Sequence, residues 1–204
     1  MVGIMNKYTH AIIGLYKSDY ATEYHIRQIA GLLNVSHVTL LPHLNELIRA
    51  NVLTERISGK NKQLSLNLEN ILTKDYLTLT EISAATAFLA KSFFLKKLYS
   101  EIFALTPAGV VALFGSYAMN TQGKESDIDL LYIGDKKEQF ISEMRKFGSL
   151  YGKEVNTKKT TLANFEKALR ERNALVREVL NNHILLHQPS IFVDCVWRYY
   201  REIR

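Results

Sequence analysis

The stretch "LFGSYAMNTQGKESDIDLLYIG", residues 113 to 134, constrains the chain most tightly, because two aspartates, Asp127 and Asp129, stand at the mouth of an apolar strand. Strand alternation puts both on one face, with Ile128 and Leu130 on the other. Like charges so placed repel and raise each other's pKa, so such a pair needs a positive group between or above it. A divalent cation meets that need. All-oxygen donors suit Mg²⁺ or Mn²⁺, and Mg²⁺ commonly takes one or two protein carboxylates and completes its shell with water and substrate phosphate. Ten residues earlier, a buried strand ends in Gly115 and Ser116. A glycine lets backbone approach a phosphate closely, and the serine hydroxyl and following N–H groups can donate to phosphate oxygens.

Apolar spacing sorts the rest of the 204 residues into two parts. Ile12, Ile13 and Tyr16 mark one short helix, and Ile26, Ile29, Ala30 and Leu33 a second. Asn34 closes the second, Ser36 caps a third, and Leu40, Leu44, Leu47 and Ile48 continue it, with Pro42 set to kink it. "VLTERISGKNKQLSLNL" then alternates about a turn cluster and reads as a hairpin. This segment resembles the winged helix-turn-helix domains of prokaryotic regulators, which implies a domain over residues 1–73. The DNA-facing candidates on that resemblance are Ser36, His37, Thr39 and His43 on the third helix, with Lys60 and Lys62 in the wing. The third helix carries no lysine or arginine on its leading turns, and residues up to Asp75 hold eight basic against six acidic side chains. Protein contact or dimerisation is the alternative use of such a domain.

Thr78 and Glu81 in "TLTE" read as a capping box, opening one long linking helix over 78–105 whose stripe of Ile82, Ala85, Leu89 and Phe93 is core or subunit contact. Pro107 and Gly109 end it. Strands and helices then alternate: "VVALFGS", "DIDLLYIG", the helix "KKEQFISEMRKFGSLYG", the strand "KEVNT", helices around "NFEKALRERNALVREVL", and a last strand and helix in "HILLHQPSIFVDCVWRYYREIR". The fold class is α/β in the α+β sense: a winged helix-turn-helix followed over residues 78–204 by a small mixed sheet with flanking helices.

The Gly-Ser turn, the ten-residue spacer and Asp-x-Asp together resemble the polymerase-beta-type nucleotidyltransferases, in particular the minimal archaeal and bacterial ones, over about residues 80 to 190. The resemblance implies transfer of a nucleoside monophosphate from an NTP, with two Mg²⁺ ions about 4 Å apart clamping the attacking and leaving oxygens. It makes Asp127 and Asp129 the catalytic metal ligands and Gly115 and Ser116 the phosphate cradle. Where similar proteins commonly carry an arginine after the turn, this chain has Met119; Lys124 is the substitute candidate for nucleotide binding. The third acid falls at Asn156 if "VN" aligns, with Glu154 the replacement candidate as a metal ligand. The partners implied are an NTP, DNA through the winged helix, and a small helical protein, as in toxin and antitoxin pairs. The competing reading is a non-enzymatic DNA-binding or antitoxin-like regulator. Wide apolar stripes make a homodimer an expectation too.

Composition sets the remaining bounds. A net charge of +6 favours polyanionic partners without demanding them. The single Cys195 excludes an internal disulfide and a cysteine zinc site and fits a reducing cytoplasm. The first residues lack a signal-peptide run, and the most apolar stretch, 82 to 95, falls short of the roughly 18 apolar residues a spanning helix needs, so a cytoplasmic protein with no membrane partner is expected.

Overall fold

Asn6 accepts hydrogen bonds from the amides of Tyr8 and Thr9 at 2.9 and 3.1 Å, so helix α1 (Lys7–Gly14) starts with two of its free N–H groups satisfied. Strand β1 (Tyr24–His25), α2 (Ile26–Leu32) and α3 (His37–Arg49) follow, then the hairpin β2 (Leu53–Ser58) and β3 (Asn61–Leu66). The computed structural model describes residues 6–58, 61–105, 107–135 and 138–203.

Ser36 caps α3, accepting from the Thr39 amide at 3.2 Å, and Asn34 adopts φ 52° after α2. The helix runs on through Pro42. The short β1 adds to the hairpin, giving an antiparallel sheet in the order β1-β3-β2. Ile12 and Ile13 of α1, Leu40, Leu44 and Leu47 of α3 and Leu64 of β3 are buried. Tyr16 is buried with them and donates its hydroxyl to the Leu64 carbonyl at 3.0 Å.

The single helix expected over 78–105 is two helices, α4 (Ile71–Leu89) and α5 (Phe93–Leu105). Thr78 is no cap: it lies inside α4 and its hydroxyl donates back to the Lys74 carbonyl at 3.0 Å. Asn70, which accepts from the Leu72 amide at 3.1 Å, opens the helix instead. Ser92 interrupts the stripe by the same capping chemistry, accepting from the Leu95 amide at 3.3 Å. Glu81 is buried and meets His183 Nε2 at 3.0 Å.

The chain divides into two units, residues 1–80 with 197–204, and residues 81–196. The second contains β4 (Val110–Phe114), the one-turn helix α6 (Gly115–Ala118), β5 (Ile128–Ile133), α7 (Glu138–Leu150), β6 (Val155–Thr160), α8 (Leu162–Arg170), α9 (Ala174–Asn181) and β7 (Ile184–His187). The last helix, α10 (Pro189–Glu202), begins there and ends in the first unit. The sheet order is β6-β5-β4-β7, with β5 and β6 parallel and the other pairs antiparallel. One face of the sheet (Val111, Leu113, Ile128 and Leu130) is sealed by Leu98 and Ile102 of α5 and by Phe140 and Met144 of α7. By the two-residue strand period, Asp129 looks to the opposite face. The fold is thus α+β, and among the described residues no helix is long and apolar enough to cross a membrane.

Candidate active site

Strand order places β5 between β4 and β6, and Asp129 is flanked on both sides: Phe114 pairs with it on β4 and Asn156 on β6. Directly after Phe114 the chain turns at Gly115, where φ is +67°. A Cβ at this position would lie 2.5 Å from Asp129 Oδ2. Glycine is therefore required twice here, once by the left-handed backbone and once by the carboxylate pressed against it. The Ser116 carbonyl accepts from the Thr121 amide at 2.9 Å, closing the turn into the loop that returns to Asp127. The structure thus brings Gly115, Ser116, Asp127 and Asp129 to one end of the sheet.

Asn156 Nδ2 donates to Asp127 Oδ2 at 3.2 Å. The structure does not bring Glu154 into the pair: this residue precedes β6, is exposed, and contributes its carbonyl, which accepts from the Ile128 amide at 2.9 Å. Among the described residues no three His, Cys, Asp or Glu side chains converge as a cation site. Two carboxylates and an amide remain, which fits a hard cation that draws the rest of its shell from water and substrate phosphate. Lys124 is exposed, and its carbonyl takes a hydrogen bond from the Lys153 ammonium, which ties the loop before Asp127 to the approach to β6.

Burial pushes the Asp129 carboxyl above its usual range, and the charges of Asp127 and then Glu178 push it further; Lys158 opposes them. Glu178, on α9, is an acid that reading the sequence did not single out. Only the packing of α9 on β4 brings its charge to bear on Asp129.

Residues 96–190 match the family model described as polymerase beta, nucleotidyltransferase. The polymerase beta match takes in the Gly115 turn, both aspartates, Asn156 and Glu178. A solved structure similar to the chain is a toxin–antitoxin complex with AMP-PNP, at 21% identity over 52% of this chain and 87% of that one, with a TM-score of 0.34. No curated protein matches the chain.

The candidates for DNA contact lie outside the polymerase beta match. Ser36, His37 and Thr39 are exposed together at the start of α3, although the Ser36 and Thr39 hydroxyls are 3.0 Å apart and bonded to each other. His43 is taken up inside its own unit, stacked on Tyr8 at 4.9 Å and bonded to Asn6 at 3.2 Å. Lys62 is ion-paired with Glu55 at 2.9 Å. Lys60 lies outside the described residues.

Proposed function

We propose that the second unit is a nucleotidyltransferase that uses Mg²⁺ or Mn²⁺ to move a nucleoside monophosphate from an NTP to an acceptor hydroxyl. The observation that carries this reading is the close approach of Gly115 to Asp129, which sets the turn after β4 against a carboxylate of the neighbouring strand β5. Gly115 and Ser116 hold the β and γ phosphates through backbone and hydroxyl donors. Asp127 and Asp129 hold the divalent cation, whose contribution is to offset charge on the transferring phosphoryl group. The match over residues 96–190 supports the same assignment.

Asn156 carries no carboxylate to help draw the proton from an incoming hydroxyl. The same observation favours a second reading, a regulator that binds nucleotide and transfers it slowly or not at all. For the first unit we read a winged helix-turn-helix, supported by its element order and hairpin. Its exposed Ser36, His37 and Thr39 are the candidates for duplex contact.

The deciding experiment is transfer of α-phosphate label from each of the four NTPs into cellular RNA and protein fractions, with Mg²⁺ or Mn²⁺. Label should move with wild type, fall about 100-fold or more in Asp127→Asn/Asp129→Asn, on the scale of removing one electrostatic stabiliser, and rise in Asn156→Asp. Nucleotide binding without transfer in both wild type and Asn156→Asp would put the regulator first.

A further inference from the structure

The second unit holds a cleft of about 630 Å³ that is lined by the C-terminal half of α4, by α5, by β7 and by the first residue of α10. None of Gly115, Ser116, Asp127, Asp129 or Asn156 lines it. Ala85, Leu89, Leu185 and Leu186 are its buried members and form its floor, while Ile82 and Phe103, exposed at 45% and 66%, form its rim. Exposed apolar side chains scattered singly mean little, but a group of them round an apolar hollow marks a place where something binds. The volume is that of a small-ligand cleft.

The polar side chains of the cleft fall into two groups. Thr86 donates its hydroxyl to the Ile82 carbonyl of its own helix at 2.9 Å, and His187 Nε2 donates to the Pro107 carbonyl at 2.9 Å. Both are engaged. The side chains of Lys96, Tyr99 and Gln188 have no hydrogen bond or ion pair among the described residues. Lys96 contrasts with the next residue, Lys97, whose ammonium lies over the Phe93 ring at 5.3 Å from its centroid. Lys96, Tyr99 and Phe103 follow one another at single-turn spacing on α5, so an ammonium, a phenol and a ring share one face. No aspartate or glutamate lines the cleft, and Lys96 brings its one permanent charge. A single cation above an apolar floor is poorly matched to a polyanion. It matches a ligand with an apolar body and one anionic head.

We propose that this cleft binds a small amphipathic carboxylate, an aliphatic chain that ends in one carboxylate head. The chain lies along Ala85, Leu89, Leu185 and Leu186, and the head accepts hydrogen bonds from the Lys96 ammonium and the Tyr99 hydroxyl at the mouth, with the Gln188 amide as a further donor. Because Lys96 is exposed, the head contributes selectivity and the buried chain contributes most of the affinity. The inference is independent of the nucleotidyltransferase reading, since the two sites share no residue.

The test is titration of the isotope-labelled full chain with hexanoate, octanoate and decanoate, followed by amide chemical shifts. Affinity should rise about fourfold for each CH₂ added, as burial of hydrocarbon requires, and the shifts should gather at residues 82–90, 96–103 and 185–189. Lys96→Gln should weaken decanoate about three- to fivefold, on the scale of an exposed ion pair, and leave decanol unchanged. Thr86→Trp, at an exposed position, should fill the cleft and remove binding of both. Phe103→Ser, which takes away an exposed ring and leaves the core intact, should weaken decanoate and decanol alike with an unchanged melting temperature. Asp127→Asn/Asp129→Asn should bind decanoate like wild type, so failure of the chemistry and failure of the cleft are distinguishable. Affinity independent of chain length, shifts centred elsewhere, or decyltrimethylammonium bound as tightly as decanoate would overturn the proposal. A dimer in sedimentation that Thr86→Trp splits and decanoate does not would overturn it too, because a second copy would then fill the cleft.

Discussion

Asp129 is held between a glycine it nearly touches and an asparagine in register with it, and its charge is unwelcome there without a cation. Burial first, then Asp127 and Glu178, hold its carboxyl above the ordinary value of 3.8, so the folded chain binds that proton more tightly than the unfolded chain does. Folding then gains stability as pH falls through the raised value, and ionisation at neutral pH costs stability. In EDTA, Asp129→Asn should therefore melt above wild type at neutral pH, with the difference closing as the pH approaches the ordinary carboxylate value; melting curves across pH check this. A variant that melts below wild type at neutral pH would contradict it. Asp127 and Asp129 were legible in the sequence because strand alternation needs only neighbours. The Asn156 bond to Asp127 depends on the register of β5 with β6, and the influence of Glu178 depends on where α9 packs, so neither could be read from local spacing.

Between elements, the buried pair of Glu81 on α4 and His183 before β7 is the polar contact with most at stake. The His183 ring lies between Glu81 Oε1 at 3.0 Å and the Val179 carbonyl at 2.7 Å, and both side chains are almost fully buried. Removing one partner strands the other, at a cost of about 3–5 kcal/mol. His183→Leu should lose that much in urea unfolding, and Glu81→Leu/His183→Leu should recover most of it; a double variant as unstable as the two losses added would refute the coupling. Most elements of both sheets could be found from periodicity, since β4, β5 and the β2–β3 hairpin are long enough to show it. Strand β1, at two residues, shows no alternation. The break between α4 and α5 was hidden because Leu89 and Phe93 continue the apolar stripe across it, and Ser92 acts as a cap without a glycine or proline to announce it. Glu81 misled for a related reason: Thr-x-x-Glu has the spacing of a capping box wherever it falls, and burial of the glutamate decides otherwise.

For the molecule as a whole, each unit has its own core, so damage to one should be felt chiefly there. Leu44→Ala, at a buried site of the first unit, should cost about 2–5 kcal/mol. Hydrogen exchange should show lost protection across α1, α3 and β3 and unchanged protection in β4 and β5; parallel loss in β4 and β5 would mean that the units unfold as one. Within the second unit, the sheet's strand directions have a further consequence. Because β4 runs against β5 while β6 runs with it, the end of β4 and the starts of β5 and β6 share one rim, and every group assigned to chemistry lies there. At the other rim Gly109 abuts the Ile133 backbone, and Asp135 beyond it is exposed. That far rim holds none of the residues proposed for the chemistry, which makes it the place to attach a fluorophore, graft a tether or lengthen the chain while leaving the proposed reactive rim undisturbed.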